Sequence, residues 1–327
     1  MLLVTGGAGY VGSHFLHEYL RQAHAGCVVL DNLTEGHARA LEQPGVQHVE
    51  GTIGDQALLD RLFEQHEIDA VVHFAANAYV GESQANPFKY LQNNIVQSIN
   101  LFEAMDRHGV RRIVFSSTCA SYGIPDYVPI DEKHPQRPVN VYGNTKLIVE
   151  KILHSLAETR GWSFVALRYF NAAGAADDGT LGESHDPETH LIPLVLKVAS
   201  GELPHVNING DDYETPDGTC IRDYIHVTDL ARAHCQALDL LRTNPPGTRQ
   251  CINLGTEHGA SVKEVIDVCE SVTGKSIASV VGPRRSGDPA RLVANAAFAE
   301  KVLGWKPQHD LKSILETAWR WEKNRRY

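Results

Sequence analysis

Leu2-Leu3-Val4-Thr5-Gly6-Gly7-Ala8-Gly9-Tyr10-Val11-Gly12 is the stretch on which the fold turns. A short apolar run ends in a glycine-rich turn, and a helical pattern, Tyr10–Ala23, follows at once. Glycines permit the tight turn and let a diphosphate approach the backbone, while the helix N-terminus offers free N–H groups and a partial positive charge. A glycine turn alone is weak evidence. Asp31 strengthens it, lying 19 residues past Gly12 at the end of Cys27-Val28-Val29-Leu30. A carboxylate there accepts hydrogen bonds from adenosine ribose hydroxyls and repels a 2′-phosphate, which favours NAD over NADP. The plainer alternative makes Asp31 a turn residue before Asn32.

Outward from this unit the first half alternates strand and helix. Strands are expected at Leu2–Thr5, Cys27–Asp31, Val46–Glu50, Ala70–Phe74, Ile113–Ser116 and Phe164–Arg168. They are short, continuous and rich in Val, Ile and Phe, as strands buried on both faces are. Helices are expected at Tyr10–Ala23, Gln56–Gln65, Pro87–Arg107 and Val141–Thr159, the last stopped by Gly161. The alternation predicts an α/β fold, a Rossmann-type doubly wound parallel sheet. After Phe170 loops lengthen, and Gly, Asp and Pro cluster at Gly174–Pro187 and Gly210–Gly218. Helices are plausible at Ile192–Ala199, Val262–Val272 and Leu311–Lys323, with short strands at Val206–Ile208 and Cys251–Leu254. We expect residues 1–170 to form the dinucleotide domain and residues 171–327 a smaller C-terminal α+β substrate domain, with a later strand free to return to the first sheet.

The 327 residues are 43% hydrophobic and 21% charged, a globular composition that excludes a disordered or fibrous chain. The net charge of −10 argues against a nucleic-acid partner. No apolar run approaches membrane-spanning length, and Met1–Val4 is too short for a signal peptide. The six cysteines show no Cys-x-x-Cys spacing and suit a reducing compartment. A soluble cytoplasmic protein is expected. His14 and His17 could share a helix face, but no third ligand stands near them in sequence, so no metal is expected. Asp211, Asp212, Glu214 and Asp217 lack the spacing of a calcium loop and read as a solvated loop.

Tyr142 and Lys146 are spaced i, i+4 and so share one face of their helix. The spacing is common; its place is informative. The pair follows the fifth strand, whose end carries Ser116, Ser117 and Thr118, and ligands of α/β sheets bind at that edge. An ordinary tyrosine is a poor base at neutral pH. A cation ~4 Å away at an effective dielectric near 20 is worth ~4 kcal/mol, roughly three pKa units. Tyr142 can then take a hydroxyl proton while a hydride leaves the same carbon for NAD, with Thr118 holding the reacting oxygen.

Thr5–Gly12, Phe115-Ser116-Ser117-Thr118-Cys119, Tyr142-Gly143-Asn144-Thr145-Lys146 and Arg168-Tyr169-Phe170-Asn171 together resemble the extended short-chain dehydrogenase/reductase family. His73-Phe74-Ala75-Ala76, Val80-Gly81-Glu82-Ser83, Gly210-Asp211-Asp212-Tyr213 and Asp217–Val227 narrow the resemblance to its UDP-sugar 4-epimerases. The resemblance implies an isomerase of galactose metabolism that holds NAD, oxidises C4 of a hexose, lets the 4-keto sugar swing over and reduces it from the other face. UDP-glucose and UDP-galactose are the first expected pair; UDP-N-acetylhexosamines and UDP-xylose/arabinose are alternatives. It implies Tyr142 as base, Lys146 as the cation that tunes it, and Thr118 at the C4 oxygen. Implied NAD contacts are Gly6, Gly9, Tyr10, Val11, Gly12, Asp31, Asn32, Ile53, Phe74, Ala75, Asn93, Tyr142, Lys146 and Tyr169. Implied substrate contacts are Thr118, Tyr142, Asn171, Arg222, Arg285 and Asp288. Guanidinium forks match a diphosphate in geometry and charge, so Arg222 and Arg285 make independent sense. A homodimer is implied through Pro87–Arg107 and the Val141–Thr159 helix.

Departures from the family pattern are Ala78, where many relatives carry Lys, Thr118 for Ser, and Leu292 at a position that gates N-acetylated sugars. Related 4,6-dehydratases need an acid pair after the strand-end Thr; Cys119 and Ala120 stand there and cannot supply it. A non-catalytic NAD-binding regulator is the reading from another class, and an intact Tyr142–Lys146 pair argues against it.

Overall fold

The computed structural model describes residues 1–22, 26–285 and 287–327. Its central sheet has seven parallel strands. Six come from the first half: β1 (Leu2–Thr5), β2 (Cys27–Asp31), β3 (Val46–Glu50), β4 (Ala70–His73), β5 (Arg112–Thr118) and β6 (Ser163–Tyr169). The seventh, Arg249–Leu254, returns from far along the chain to pair with β6. The order is Arg249–Leu254, β6, β5, β4, β1, β2, β3. Chain direction across the sheet reverses between β4 and β1, and the crevice at that switch point is where such sheets bind nucleotides. β1, β2 and β4 are buried along their whole length, as their apolar runs require; β3, at the edge, is half-exposed.

Each face of the sheet is covered. Phe15 and Leu16 of helix Tyr10–Arg21 pack with Leu230 and Leu238 of helix Val227–Thr243 on one side. Leu59, Leu62, Leu101, Met105, Val149 and Leu153, from helices Gln56–Gln65, Gln97–Arg107 and Val141–Arg160, cover the other. A third apolar cluster lies apart, where helices Leu191–Ser200, Val262–Thr273 and Leu311–Lys323 pack around Val195, Val265 and Ile314.

Most expected elements are present, with shifted ends. Asn140 caps helix Val141–Arg160 by accepting from the Gly143 N–H at 2.7 Å, and Gly161 ends it at φ 69°, a left-handed conformation that glycine adopts without cost. The Tyr10 helix closes at Arg21, and its expected last residue, Ala23, lies outside the described residues. The expected single helix Pro87–Arg107 is interrupted by a wide turn over Leu91–Val96, a distortion that often marks functional sites. Cys251–Leu254 belongs to the main sheet rather than to a separate C-terminal layer. Helix Val227–Thr243 was not expected. Its Thr228, Asp229, Arg232 and His234 hide the apolar stripe of Leu230, Ala237, Leu238 and Leu241.

Candidate functional site

One cleft of about 1980 Å³ runs along the carboxyl ends of the central strands. Drug-sized ligands occupy ~300–1,000 Å³, so this one has room for two nucleotides end to end. Every expected site residue lines it except Lys146.

At one end the glycine turn joins β1 to its helix. Gly6 sits at φ 74°, and a Cβ there would lie 2.4 Å from the Ala75 nitrogen, because the Phe74 and Ala75 N–H groups both bond to the Thr5 carbonyl. A Cβ on Gly12 would strike the Gly6 carbonyl at 2.3 Å. Gly9 differs: a Cβ there would meet only the Gly6 oxygen, at 3.5 Å. The protein leaves that space open, and no side chain caps the helix that starts above it. Open space facing free N–H groups fits a diphosphate. Asp31 is buried where β2 ends. Its Oδ2 accepts from the Ala8 N–H at 2.9 Å and its Oδ1 from the Leu33 N–H at 2.8 Å. It is therefore a turn residue that also braces the glycine loop, and a carboxylate has lone pairs left for ribose hydroxyls. Asn32, Ile53, Phe74, Ala75 and Asn93 follow along the wall. Asn93 lies on the wide turn Leu91–Val96, whose buried Asn94 bonds to both Asn77 and Thr145 and so ties that wall to the Tyr142 helix.

Mid-cleft stand Thr118, Tyr142 and Tyr169. Thr118 ends β5 and accepts from the Ala120 N–H, and the Tyr169 hydroxyl bonds to Ser116 Oγ at 2.7 Å. Lys146 lies behind this row, buried, its Nζ donating to the Ser116 carbonyl at 2.8 Å. That Nζ is 6.0 Å from the Tyr142 ring centre and 4.9 Å from that of Phe115. The electrostatics correct the expectation of a phenol near neutrality. Burial pushes Tyr142 well above its ordinary value, Tyr169 adds to the rise, and a hydrogen bond from Thr118 opposes it. Burial also pulls Lys146 down to about 7, against the pull of the Glu150 carboxylate. Desolvation outweighs the assumed cation effect because both groups are enclosed by protein.

Beyond them lies the end that carries Arg222 and Arg285. Asn171 opens the strand Asn171–Ala173, which pairs with Tyr224–His226. Arg222, on the two-residue strand Ile221–Arg222, is buried and ion-paired to Asp288. Arg285 is exposed, its Nε and terminal nitrogen 3.2 and 3.3 Å from the side-chain oxygen of Asn209. Leu292 lines the cleft wall and packs against the apolar cluster of Cys119, Tyr122, Ile130, Phe170 and Ala294.

Two groups of residues near the site escaped the sequence reading. Glu150, one turn beyond Lys146, accepts from Ser117 at 2.5 Å and from Arg168 at 2.6 Å. Arg168 also donates to Tyr122, which donates to Asn253 at 2.7 Å. This buried network clamps β5, β6, the seventh strand and the helix Val141–Arg160; the i, i+4 spacing of Lys146 and Glu150 was its only trace in sequence. The second group is Glu183, His185, Glu188 and His190, four ligand-type side chains within eight residues. His73, by contrast, is a neutral bridge between Thr5 and Ser98, its pKa lowered to about 3 by burial and by Lys146.

A doubly wound sheet with an open glycine cradle at its switch point, a Tyr–Lys pair beside it and buried arginine beyond defines a dinucleotide-using enzyme with an anionic substrate. The sequence profile of the NAD dependent epimerase/dehydratase family matches residues 2–255, and the chain belongs to that family. It is 51% identical to the UDP-glucose 4-epimerase of Halalkalibacterium halodurans, over 98% of this chain and 95% of that protein. The fold superposes on the UDP-glucose 4-epimerase of Brucella ovis in complex with NAD at a TM-score of 0.94 and 47% identity, covering 98% of each chain. It matches that of Bifidobacterium longum, in complex with NAD+ and UDP, at a TM-score of 0.94 and 40% identity, over 99% of this chain and 98% of that one.

Proposed function

We infer that this protein is an NAD-dependent UDP-sugar 4-epimerase and that UDP-glucose and UDP-galactose are its substrates. The observation that carries the reading is the placing of Tyr142 and Thr118 in one cleft between the glycine cradle and Arg222. Residues 1–170 serve the cofactor and residues 171–327 the UDP-sugar. Gly6, Gly9, Tyr10, Val11 and Gly12 hold the NAD diphosphate, Asp31 and Asn32 the adenosine ribose, with Ile53, Phe74, Ala75 and Asn93 along the chain of the dinucleotide. Tyr142, Lys146 and Tyr169 take the nicotinamide end. When bound, NAD accepts a hydride from C4 of the hexose and gives it back to the opposite face.

The chain's own residues move the proton. Tyr142 takes it from the C4 hydroxyl and later returns it, with Thr118 hydrogen-bonded to the same oxygen. A phenol held high by burial resists ionisation alone. Lys146, behind the row, is the cation of this chain that favours the phenolate, and a cationic ring bound beside Tyr142 would favour it further. Arg222 and Arg285 grip the diphosphate, Asn171 and Asp288 the rest of the nucleotide, and the sugar is left few fixed contacts so that it can turn. The Cys119 thiol, pushed up to about 12 by burial, offers no acid–base service after Thr118, which disfavours the dehydratase reading. The test is optical. Adding UMP and a reducing sugar to the purified holoenzyme should produce reduced-nicotinamide absorbance; a flat trace would favour the non-catalytic regulator. Turnover of UDP-glucose, UDP-N-acetylglucosamine and UDP-xylose side by side then fixes the sugar, with Leu292 as the residue expected to set any preference against N-acetyl groups.

Work in the cytoplasm fits six free cysteines, and among the described residues no helix is long and apolar enough to cross a membrane. A homodimer through the Gln97–Arg107 and Val141–Arg160 helices is supported by Phe88 and Val96, exposed beside them. Size-exclusion chromatography with light scattering should give twice the chain mass.

A further inference from the structure

The segment between strand Asn171–Ala173 and helix Leu191–Ser200 has no regular structure after Gly182, yet it buries two carboxylates. The side chains of Glu183 and Glu188 are 6% and 3% exposed. Among the described residues no lysine or arginine forms an ion pair with either; their only such partners are His185 and His190. One ligand atom from each of the four residues falls within a single 4.8 Å group.

The group mixes two separations typical of co-ligands, both made by His185, with one hydrogen-bonded pair, His190 and Glu183. His185 Nδ1 is 3.4 Å from Glu183 Oε1 and 3.5 Å from Glu188 Oε2. Yet this buried nitrogen makes no well-directed hydrogen bond to either oxygen. Ligands ~2.0–2.1 Å from a tetrahedral ion stand about 3.4 Å apart, the separation found here. His190 Nδ1 is hydrogen-bonded to the same Glu183 oxygen, a contact that an ion held by both would replace, and lies 3.9 Å from Glu188 Oε1. The outer supports are in place. Glu188 Oε1 accepts from the Thr189 and His190 N–H groups at 2.7 and 2.8 Å, which turns Oε2 toward the group. The Glu183 carbonyl accepts from the Trp321 indole at 2.9 Å, and the Tyr10 and Tyr79 rings meet the His185 ring edge-on. Such fixed surroundings orient metal ligands.

We propose that Glu183, His185, Glu188 and His190 form a four-coordinate site for a divalent cation of the zinc class, which pins the 182–190 loop over the cleft. Two imidazoles and two carboxylates suit zinc among the abundant divalent ions, and calcium or magnesium poorly. The pinned loop leads into Leu191–Ser200, whose first residues line the cleft, and it rests on Tyr10 of the nucleotide turn. The ion's role is structural: it cross-links the 183–190 loop, whose His185 packs edge-on against Tyr10 of the cofactor-side helix. The site stands on these four residues whether or not the chain is an epimerase.

The experiment uses tag-free holoenzyme stripped with dipicolinate. Zinc added against a chromophoric chelator should bind at about one ion per chain, and cobalt(II) should give the strong visible bands of a tetrahedral site. The thermal midpoint should rise by several degrees with zinc. In the His185→Gln/Glu188→Gln double variant zinc uptake should fall at least tenfold and the midpoint should no longer respond. No uptake and no cobalt bands in the unaltered protein would overturn the proposal and leave a metal-free cluster of glutamate–histidine pairs. Stoichiometric zinc that persists in the double variant would overturn it too, by placing the ion elsewhere.

Discussion

The two ends of the cleft are built on different principles. At the cofactor end the glycine turn is held from below by a seven-stranded sheet, and Asp31 already satisfies two backbone N–H groups around it. Little has to move for a dinucleotide to bind. At the substrate end the two arginines sit on a two-residue strand and an exposed loop, and Arg222 is engaged with the protein's own Asp288. A diphosphate bound there, as proposed, would have to replace or share that ion pair. The contrast suits the proposed chemistry: a cofactor retained through many turnovers wants a rigid cradle, and a substrate that leaves each time wants exchangeable contacts. Preorganisation gives the first its affinity, and desolvated charge pairs govern the second.

The largest effects should fall between the two ends. Tyr142→Phe should retain NAD and the fold but lose roughly a thousandfold or more in turnover, the scale of a lost general acid–base group. Activity near that of the unaltered enzyme would reject Tyr142 as the base. Lys146→Met should cost at least about a hundredfold in turnover and yet raise the thermal midpoint. A folded-state pKa lowered to about 7 from 10.5 means that the buried ammonium weakens the fold. The sign follows: below about pH 7 the charge is present and the penalty is whole. Between 7 and 10.5 the folded protein sheds the proton first and the penalty fades. The variant's advantage should therefore be largest at pH 6 and shrink toward pH 10, as read by calorimetry. A variant less stable than the parent at pH 6 would show that the hydrogen bond to Ser116 outweighs desolvation.

The same contrast explains what could be read from the sequence. The cofactor end was legible because its demands are local. Gly12 is forced by the Gly6 carbonyl six residues back, Gly6 by its own left-handed φ of 74°, and Asp31 by its place where β2 ends. The substrate end was legible only by residue type. Arg222 could be named, but its ion-pair partner, Asp288, lies 66 positions on, while the adjacent acid Asp223 takes another role. Asp223 instead lies buried, accepting from Thr256 and Ala294, with its pKa raised to about 6 by burial. The depth of the Tyr142–Lys146 pair was likewise hidden, since helical spacing says nothing about how much protein covers a face. Glu183, His185, Glu188 and His190 went unnoticed because steps of two, three and two fit neither helix nor strand. Five His, Asp and Glu side chains within eight residues, Asp186 among them, were the available signal.

Smaller effects should separate the two arginines. Arg222→Ala should weaken UDP-sugar binding by about 2 kcal/mol, roughly thirtyfold, with NAD retention unchanged, as titration calorimetry on the holoenzyme would measure. Its side chain is only 10% exposed, so added salt should barely alter that deficit. An unchanged affinity would remove Arg222 from the phosphate site.

Arg285 gives the smallest and most conditional effect. Its guanidinium is exposed and touches only the side-chain oxygen of Asn209 among the contacts described above, so water screens whatever it does. Exposed pairs are worth ~0.2–1 kcal/mol, and the Debye length falls from ~10 Å at 0.1 M salt to ~3 Å at 1 M. Arg285→Ala should therefore raise the UDP-sugar Kd by about three- to fivefold in dilute buffer and by hardly anything in 1 M salt. Arg222→Ala should remain weakened in both. If the Arg285 deficit survived high salt, the loop would have to close over the diphosphate and bury the guanidinium. The substrate end would then be as well organised once filled as the cofactor end is beforehand, and the two ends would differ in when they are ordered rather than in how tightly they hold.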